Sequence, residues 1–95
     1  MFQMRYRFYI VVSLEHFLAE SSKVGGLPWC FTAFAGVGQW LGQREESTVV
    51  EVVLEECDFP SSEVSAVARN LALIYDQEAV FVTRDMVSVE LVGKG

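Results

Sequence analysis

The chain has 95 residues, which suits one domain with one hydrophobic core, so we treat residues 1–95 as a single domain. Hydrophobic residues make up 52% of the chain, and this content excludes an intrinsically disordered protein. The formal net charge is −6. Residues 1–44 hold four basic and two acidic side chains, whereas residues 45–95 hold three basic and eleven acidic ones. This balance argues against direct nucleic-acid binding, which relies on Lys and Arg at phosphates, and it suits a protein partner with a basic surface.

The two cysteines, Cys30 and Cys57, are too few for a disulfide scaffold and lack the CxxC spacing of a zinc site. We expect buried free thiols in a reducing compartment. The apolar run Phe8–Val12 is too short to span a membrane and is soon followed by Glu15. The sequence therefore predicts a cytoplasmic protein that does not enter the membrane.

The N-terminal half begins with a period of two over residues 4–12, where residues such as Tyr6 and Phe8 alternate with Arg5 and Arg7. This pattern predicts a first strand. Residues 14–22 carry apolar side chains at helical spacing and predict a short, poorly capped helix. Residues 23–43 hold five of the seven glycines and predict a long loop, with room for a hairpin, that leads into a strand near Trp40.

The C-terminal half begins with a strand rich in β-branched residues at 47–55. A turn then leads to a helix over residues 62–76, with Ser61 or Ser62 as its N-cap. Strands at 79–84 and 87–92 follow, with a bend at residues 84–86 between them. This order predicts an α+β fold with a ferredoxin-like βαββαβ arrangement, helices on one face of an antiparallel sheet, and a short extra C-terminal strand.

Three short motifs carry a resemblance to a known family. They are Gly38-Gln39-Trp40, the run Arg44-Glu45-Glu46-Ser47-Thr48-Val49-Val50, and Gln77-Glu78-Ala79-Val80 after the second helix. Together they resemble a family of small bacterial proteins of unknown function with a GQW, R-E-x-S-x-V, then Q-E-x-V pattern. The resemblance covers about half of the chain and leaves residues 14–36 unmatched. It implies the ferredoxin-like fold and gives no information about activity.

No constellation of side chains in the sequence predicts catalysis, a metal or a cofactor. His16 is the only histidine, and neither cysteine lies in a nucleophile motif. The glycine-rich run at residues 36–42 lacks the Lys-Ser/Thr of a phosphate-binding loop. Aromatic side chains between residues 25 and 42 lack the neighbouring basic residues of an RNA-binding sheet. Gln77 and Glu78 are interpreted as partners of backbone groups at the helix end.

An acidic stretch accompanies the strand at 47–55, and its carboxylates are predicted to lie exposed along the strand and at its ends. Exposed charges of this kind discourage aggregation, and they also offer a docking surface to a basic partner. The acidic residues assigned to this surface are Glu45, Glu46, Glu51, Glu55, Glu56 and Asp58.

The sheet face away from the helices is predicted to be apolar, with Phe81 placed in the layer that faces the helices. The open face is assigned Tyr9, Val11, Val49, Val53, Val80 and Val82. A patch of this kind is larger than soluble monomers usually expose, so either residues 14–43 fold over it or a second copy of the chain does. We favour a homodimer with two-fold symmetry.

These observations lead to a hypothesis of a non-enzymatic protein-interaction module. Its size and acidity suit an inhibitor carried by a phage or other mobile element and aimed at a host nucleic-acid-binding defence complex. The alternative is a small enzyme or small-ligand binder that uses the aromatic, glycine-rich segment 25–42.

Overall fold

The computed structural model describes the backbone of all 95 residues and every side chain except that of Trp40. The chain forms an antiparallel sheet of four strands with two helices, so the predicted α+β class is confirmed. In chain order the elements are β1 (Phe2–Ile10), α1 (Leu14–Glu20), a 3-10 turn (Ser21–Lys23), β2 (Thr32–Trp40), β3 (Gln43–Leu54), α2 (Ser61–Ile74) and β4 (Phe81–Ser88).

The strands lie in the order β2-β3-β1-β4, and each neighbouring pair is antiparallel. β1 lies in the middle, where Phe8 is opposite Val50 of β3 on one side and Val82 of β4 on the other. Because successive side chains of a strand point to opposite faces, this register places Tyr6, Phe8 and the even-numbered residues of β3 on one face. That face carries the core, and both helices contribute to it.

The loop predicted at 23–43 is wrong over residues 32–40, which form β2 and pair with β3 along their whole length, whereas the hairpin left open for this segment is present. β2 and β3 are connected by a two-residue turn at Leu41 and Gly42, whose φ values are 50° and 78°. Two positive φ angles in succession define the type I′ turn, which matches the twist of paired strands. Gly36, Gly38 and Gly42 therefore belong to a hairpin, whereas Gly25 and Gly26 lie in the irregular segment 24–31.

The predicted short helix is confirmed as α1, but it is capped, since the Ser13 hydroxyl accepts a hydrogen bond from the His16 N–H at 3.0 Å. The serine cap predicted for α2 is wrong. Its N-cap is Pro60, whose carbonyl accepts hydrogen bonds from the N–H groups of Glu63 and Val64. α1 is thus capped by a side chain, whereas α2 begins without a side-chain cap.

The predicted break at residues 84–86 is also wrong, and there is no short extra strand, since residues 81–88 form the single strand β4. Residues 89–95 lie outside regular structure. The polar residues Arg84 and Asp85 continue the strand because β1 pairs with β4 without interruption, from Phe2 opposite Ser88 to Tyr9 opposite Phe81. Asp85 also forms a salt bridge with Arg5 of β1, which stabilises the strand where a turn was predicted.

Two buried tyrosines connect separate elements of the core through their hydroxyl groups. Phe17 of α1 packs against Tyr75 at the end of α2 with ring centroids 5.7 Å apart, and the Tyr75 hydroxyl donates to the Phe17 carbonyl at 2.7 Å. On the other side of the core, Tyr6 meets Phe59 edge-on at 5.1 Å and donates to its carbonyl at 3.3 Å. A buried hydroxyl that finds an acceptor avoids the cost of losing its water.

The structural role predicted for Gln77 is confirmed. Its side-chain amide donates to the Tyr75 carbonyl at 2.9 Å, and its side-chain oxygen accepts from the Val11 N–H at 3.0 Å. Gln77 therefore links the end of α2 to the residue that follows β1. Among the described residues, no helix is long and apolar enough to cross a membrane.

The first testable prediction concerns Tyr75. Burial raises its pKa to about 12, whereas an unfolded tyrosine titrates near pH ~10. The neutral phenol therefore stabilises the fold fully below pH ~10, and this stabilisation of about 2 to 3 kcal/mol is lost as the pH rises through 12. We expect urea unfolding between pH 7 and 12 to show this loss.

Tyr75→Phe should cost about 1 to 3 kcal/mol at pH 7, because it removes the donor to the Phe17 carbonyl, and should shrink the alkaline step. Tyr9→Phe, on the other face of the sheet, is the matched control and should keep the step. An alkaline step of the same size in Tyr75→Phe would contradict the assignment.

Candidate functional site: the open face of the sheet

The face of the sheet away from the helices combines charged and aromatic side chains. β1 contributes Arg5, Arg7 and Tyr9, which alternate with its buried residues. The neighbouring strands present the residues opposite them: Val49, Glu51 and Val53 of β3, and Phe81, Thr83 and Asp85 of β4. β2 adds Phe34, which is opposite Val49. We call these side chains the open face.

Two arginines and two carboxylates form a chain of salt bridges across the middle of the open face. Arg5 and Asp85 meet through two hydrogen bonds, of 3.0 Å from Nε and 2.6 Å from Nη2. Arg7 Nε donates to Glu51 Oε1 at 2.8 Å, and Arg5 Nε lies 3.9 Å from the same oxygen. The Glu51 carboxylate raises the pKa of Arg7 further above its usual range. The four charges remain accessible, since their side chains are between 21% and 49% exposed.

Aromatic side chains border this charged centre. Tyr9 and Phe81 lie on adjacent strands with ring centroids 5.6 Å apart, and the Arg7 guanidinium lies 5.9 Å from the centre of the Phe34 ring. Phe81 is 69% exposed and Phe34 39% exposed. The open face therefore offers cationic and anionic hydrogen-bonding groups within reach of rings that are free to stack on a ligand.

The residues predicted for this face are only partly correct. Tyr9, Val49 and Val53 lie on it, and Val49 is almost fully buried beneath its neighbours. Val80 and Val82 pack against the core instead, and Phe81 lies on the open face, so the predicted sides of β4 are wrong by one residue. Val11 follows the end of β1, where its N–H binds Gln77. The face is not the uniform apolar patch that was predicted.

Residues 14–31 do not cover the open face. Phe17 and Val24 lie in the core, and the Asn70 amide of α2 donates to the Gly25 carbonyl at 2.6 Å. This segment thus packs on the helical side of the sheet. Whether a second copy of the chain covers the open face remains a prediction.

The predicted acidic surface divides into separate parts. Glu45 and Glu46 are exposed beside the β2–β3 turn, while Glu55, Glu56 and Asp58 are exposed beyond the other end of β3. At roughly 3.3 Å per residue the two ends of this strand lie on the order of 30 Å apart. Glu51, between them, is engaged by the arginines of β1. The acidic residues therefore form two exposed ends and one paired centre.

Both cysteines are free and exposed, so the prediction that they are buried is wrong. Glu55, Cys57 and Asp58 offer ligand atoms within 4.8 Å of one another. Glu55 and Cys57 also line a cleft of about 440 Å³ together with Phe2 and Met86. The negative charges of Asp58 and Glu55 raise the pKa of the Cys57 thiol. A thiol with a raised pKa is a weak nucleophile at neutral pH, so this group lacks the activation that cysteine catalysis needs.

The fold also separates the residues of the alternative site predicted in segment 25–42. Pro28 and the fully exposed Trp29 border a cleft of about 390 Å³ against Leu54 and Phe59. Phe31 packs edge-on against Phe17 in the core, at 5.9 Å. Phe34 lies on the open face, so Trp29, Phe31 and Phe34 lie in three different environments. The side chain of Trp40 lies outside the described part of the chain.

Sequence reasoning did not select Arg5, Arg7, Asp85, Phe34 or Phe81 as site residues. The alternation of the first strand could have identified the arginines. If Tyr6 and Phe8 face the core, then Arg5, Arg7 and Tyr9 must lie together on the opposite face of the sheet. No such signal marked Asp85 and Phe34, whose strands were predicted as a bend and a loop.

A second prediction follows from the surroundings of Cys57. In a Cys30→Ser background, native Cys57 should react slowly with iodoacetamide at pH 7.5, because its raised pKa leaves little thiolate. Adding Asp58→Asn removes the charge that contributes most to this shift and should accelerate labelling several-fold. Glu90→Gln serves as a control of equal charge change and should leave the rate unaltered. Equal rates with and without Asp58→Asn would refute this account.

Comparisons with known proteins bear on the fold. No family model and no curated protein matches the chain. Among solved structures, a phage SAM lyase in its apo state matches with a TM-score of 0.67 and 18% sequence identity, covering 97% of this chain and 94% of the other. A de novo designed protein, Foldit4, matches with a TM-score of 0.38 and 9% identity over 94% of this chain and 98% of that one, which is too low to support a fold assignment. The chain thus has a small α+β fold similar along nearly its whole length to that of a phage SAM lyase.

Proposed function

We propose that this protein binds S-adenosylmethionine on the open face and breaks it down as a lyase. The observation that carries the proposal is the similarity of fold to a phage SAM lyase over nearly the whole of both chains. At 18% sequence identity this similarity shows the fold alone. The choice of ligand therefore depends on the chemical groups that the open face presents.

The composition of the open face complements each part of S-adenosylmethionine. The ligand carries a carboxylate, an ammonium group, a positively charged sulfonium and a flat purine. Arg5 and Arg7 offer donors to the carboxylate, and Glu51 and Asp85 offer acceptors and negative charge to the cationic groups. Phe81, Phe34 and Tyr9 offer ring faces to the purine and the sulfonium.

The charge of the chain supports the same ligand. S-adenosylmethionine is a net cation at neutral pH, and a chain of formal net charge −6 attracts cations over a distance of several ångströms. In the lyase step a carbon–sulfur bond of the sulfonium breaks, the sulfur leaves as a neutral thioether, and the carbon that it leaves bonds to the carboxylate of the same molecule to form a lactone. No second reactant is needed, so a large part of what the protein must supply is the positioning of the reacting groups. Side chains fixed on adjacent strands by salt bridges provide such positioning.

The proposal is tested by incubating the purified chain with S-adenosylmethionine and following its loss by liquid chromatography and mass spectrometry. We expect turnover by the wild type and a loss of at least about tenfold in Glu51→Gln, which keeps the shape but removes the charge next to both arginines. Phe81→Ala should weaken binding measured by calorimetry, because it removes an exposed stacking ring.

Glu63→Gln is the matched control. It removes one exposed carboxylate from α2, on the helical side of the sheet, and should leave both turnover and binding unchanged. Neither turnover nor binding of S-adenosylmethionine by the wild type at millimolar ligand would rule the proposal out. Equal losses in Glu51→Gln and Glu63→Gln would move the site away from the open face.

A second candidate function is a non-enzymatic inhibitor, carried by a phage or other mobile element, that docks on a host nucleic-acid-binding defence complex. The phage origin of the structural neighbour and the exposed acidic ends of β3 support it. A basic protein surface is the partner that such acidic ends would attract. In this function the protein acts by binding and not by consuming a small molecule.

The two candidates are distinguished by a phage restriction assay in bacteria that express the chain. If docking is correct, the double variant Glu45→Lys/Glu46→Lys should lose the inhibition of host defence, while Glu51→Gln keeps it and cellular S-adenosylmethionine stays constant. The reverse pattern, with inhibition lost in Glu51→Gln together with S-adenosylmethionine consumption, would support the lyase. Glu78→Lys/Glu90→Lys, at two other exposed positions, controls for the same change of net charge.

We also propose that the fold is ferredoxin-like. The order of elements and the sheet order β2-β3-β1-β4 support a ferredoxin-like arrangement. β1 and β2 both run antiparallel to β3, so they point the same way with β3 between them, as a split βαβ unit requires.

A further inference from the structure

β2 forms one edge of the sheet. Only β3 pairs with it among the described strands, so its other side faces away from the sheet. In an antiparallel strand every second residue points its N–H and C=O groups away from the paired neighbour. Unpaired groups of this kind are a template for the addition of another strand.

This edge lacks the features that normally protect an edge strand. The sequence of β2, Thr-Ala-Phe-Ala-Gly-Val-Gly-Gln-Trp, contains no charged residue and no proline. Its pairing with β3 runs without a bulge from Thr32 opposite Glu51 to Trp40 opposite Gln43. β4, at the other edge, differs because it carries Arg84 and Asp85. Monomeric proteins protect edges with charges, prolines or bulges, so β2 is the unprotected edge of this sheet.

The side chains of β2 also permit close approach by another strand. Ala35, Gly36 and Gly38 are small, and Val37 is 78% exposed although it is apolar. Small residues leave the backbone accessible from the side, and an exposed valine gains from a neighbour across the strand. The edge is therefore suited to pairing through the main chain together with apolar contacts.

We propose that a second copy of this chain pairs with β2 along this edge, antiparallel about a two-fold axis, and joins two four-stranded sheets into one of eight strands. Such a contact is self-complementary, as a two-fold interface must be. It also places the one uncharged strand of an acidic chain against itself, so two copies that each carry a formal net charge of −6 meet where like charges are fewest.

The antiparallel arrangement separates the remaining charges near the contact. The turn beyond β2 carries Glu45 and Glu46 on the neighbouring strand, and antiparallel pairing brings each turn beside the Thr32 end of the partner strand. The two pairs of glutamates then lie at opposite ends of the contact. The open faces of the two copies become continuous, with Phe34 of each copy beside the contact.

The first test is the molar mass in solution, measured by light scattering after size exclusion at about 100 µM. The wild type should have twice the monomer mass of 10.7 kDa. Val37→Lys should halve the mass to 10.7 kDa with an unchanged circular dichroism spectrum, because it places two like charges across the contact. Met86→Lys, an exposed position on the opposite edge strand, is the matched control and should remain a dimer.

Hydrogen exchange of the wild type provides a test that does not depend on a variant. Alternate amides of β2, those that point away from β3, should exchange several-fold more slowly at 200 µM than at 2 µM, and the amides of β4 should not change. A wild type that remains at 10.7 kDa at several hundred micromolar, or β2 amides that do not respond to concentration, would overturn the proposal. A dimer that is lost in Phe81→Glu but kept in Val37→Lys would place the contact on the open face instead and would also overturn it.

Discussion

The pairing of β1 with β3, with Phe8 opposite Val50, is the constraint on which both faces of the sheet depend. Side chains alternate along a strand, so a shift of one residue would move Arg5 and Arg7 into the core and Phe8 into water. Burial of Tyr6, Phe8 and the even-numbered residues of β3 makes that shift very unfavourable. The arginines are therefore held on the open face by the apolar residues that lie between them.

The same pairing explains why charges persist at the centre of a sheet face. Arg5 lies between Val53 and Asp85, and Arg7 between Glu51 and Thr83, so each arginine has a carboxylate directly across one neighbouring strand. Their side chains are about one-third exposed, and salt bridges at such positions contribute little to stability. The proposed function gives them a role, because ordered donors and acceptors beside exposed rings suit a ligand that carries both signs of charge.

The helical side of the sheet is fixed by different means. α1 has only seven residues and would not be stable alone. It is stabilised because Ser13 caps its first turn and Phe17 lies in the core against Tyr75. The Tyr75 hydroxyl connects α1 to the end of α2, and Gln77 connects that end to the residue after β1. These polar contacts keep residues 14–31 on the helical side and leave the other face of the sheet accessible.

The accessible face and the unprotected edge of the sheet are the two features on which the proposals rest. Its fold is similar to that of a phage SAM lyase, and the open face carries groups suited to a small cation with a flat ring. Self-pairing along β2 would extend that face without using any of its charged residues. Both proposals thus assign roles to features that a stable core does not require.

The sequence by itself determined the α+β class, α2, and the two faces of β3, because strong periodicity over nine or more residues reflects burial directly. It also determined the alternation of Arg5 and Arg7 with the core residues of β1. The structural role of Gln77 followed from its position at a helix end. These features depend on residues that are close together in the chain.

Only the tertiary structure decided the rest, because the remaining features depend on pairing between distant residues. β2 is rich in glycine and has little strand preference of its own, yet it becomes a strand by pairing with β3. Arg84 and Asp85 look like a turn, but pairing with β1 and the salt bridge to Arg5 keep them in β4. The charged and aromatic character of the open face follows from these two strands, since their registers bring Phe34, Phe81 and Asp85 beside β1 and β3, and no local pattern specifies a register between strands that lie tens of residues apart.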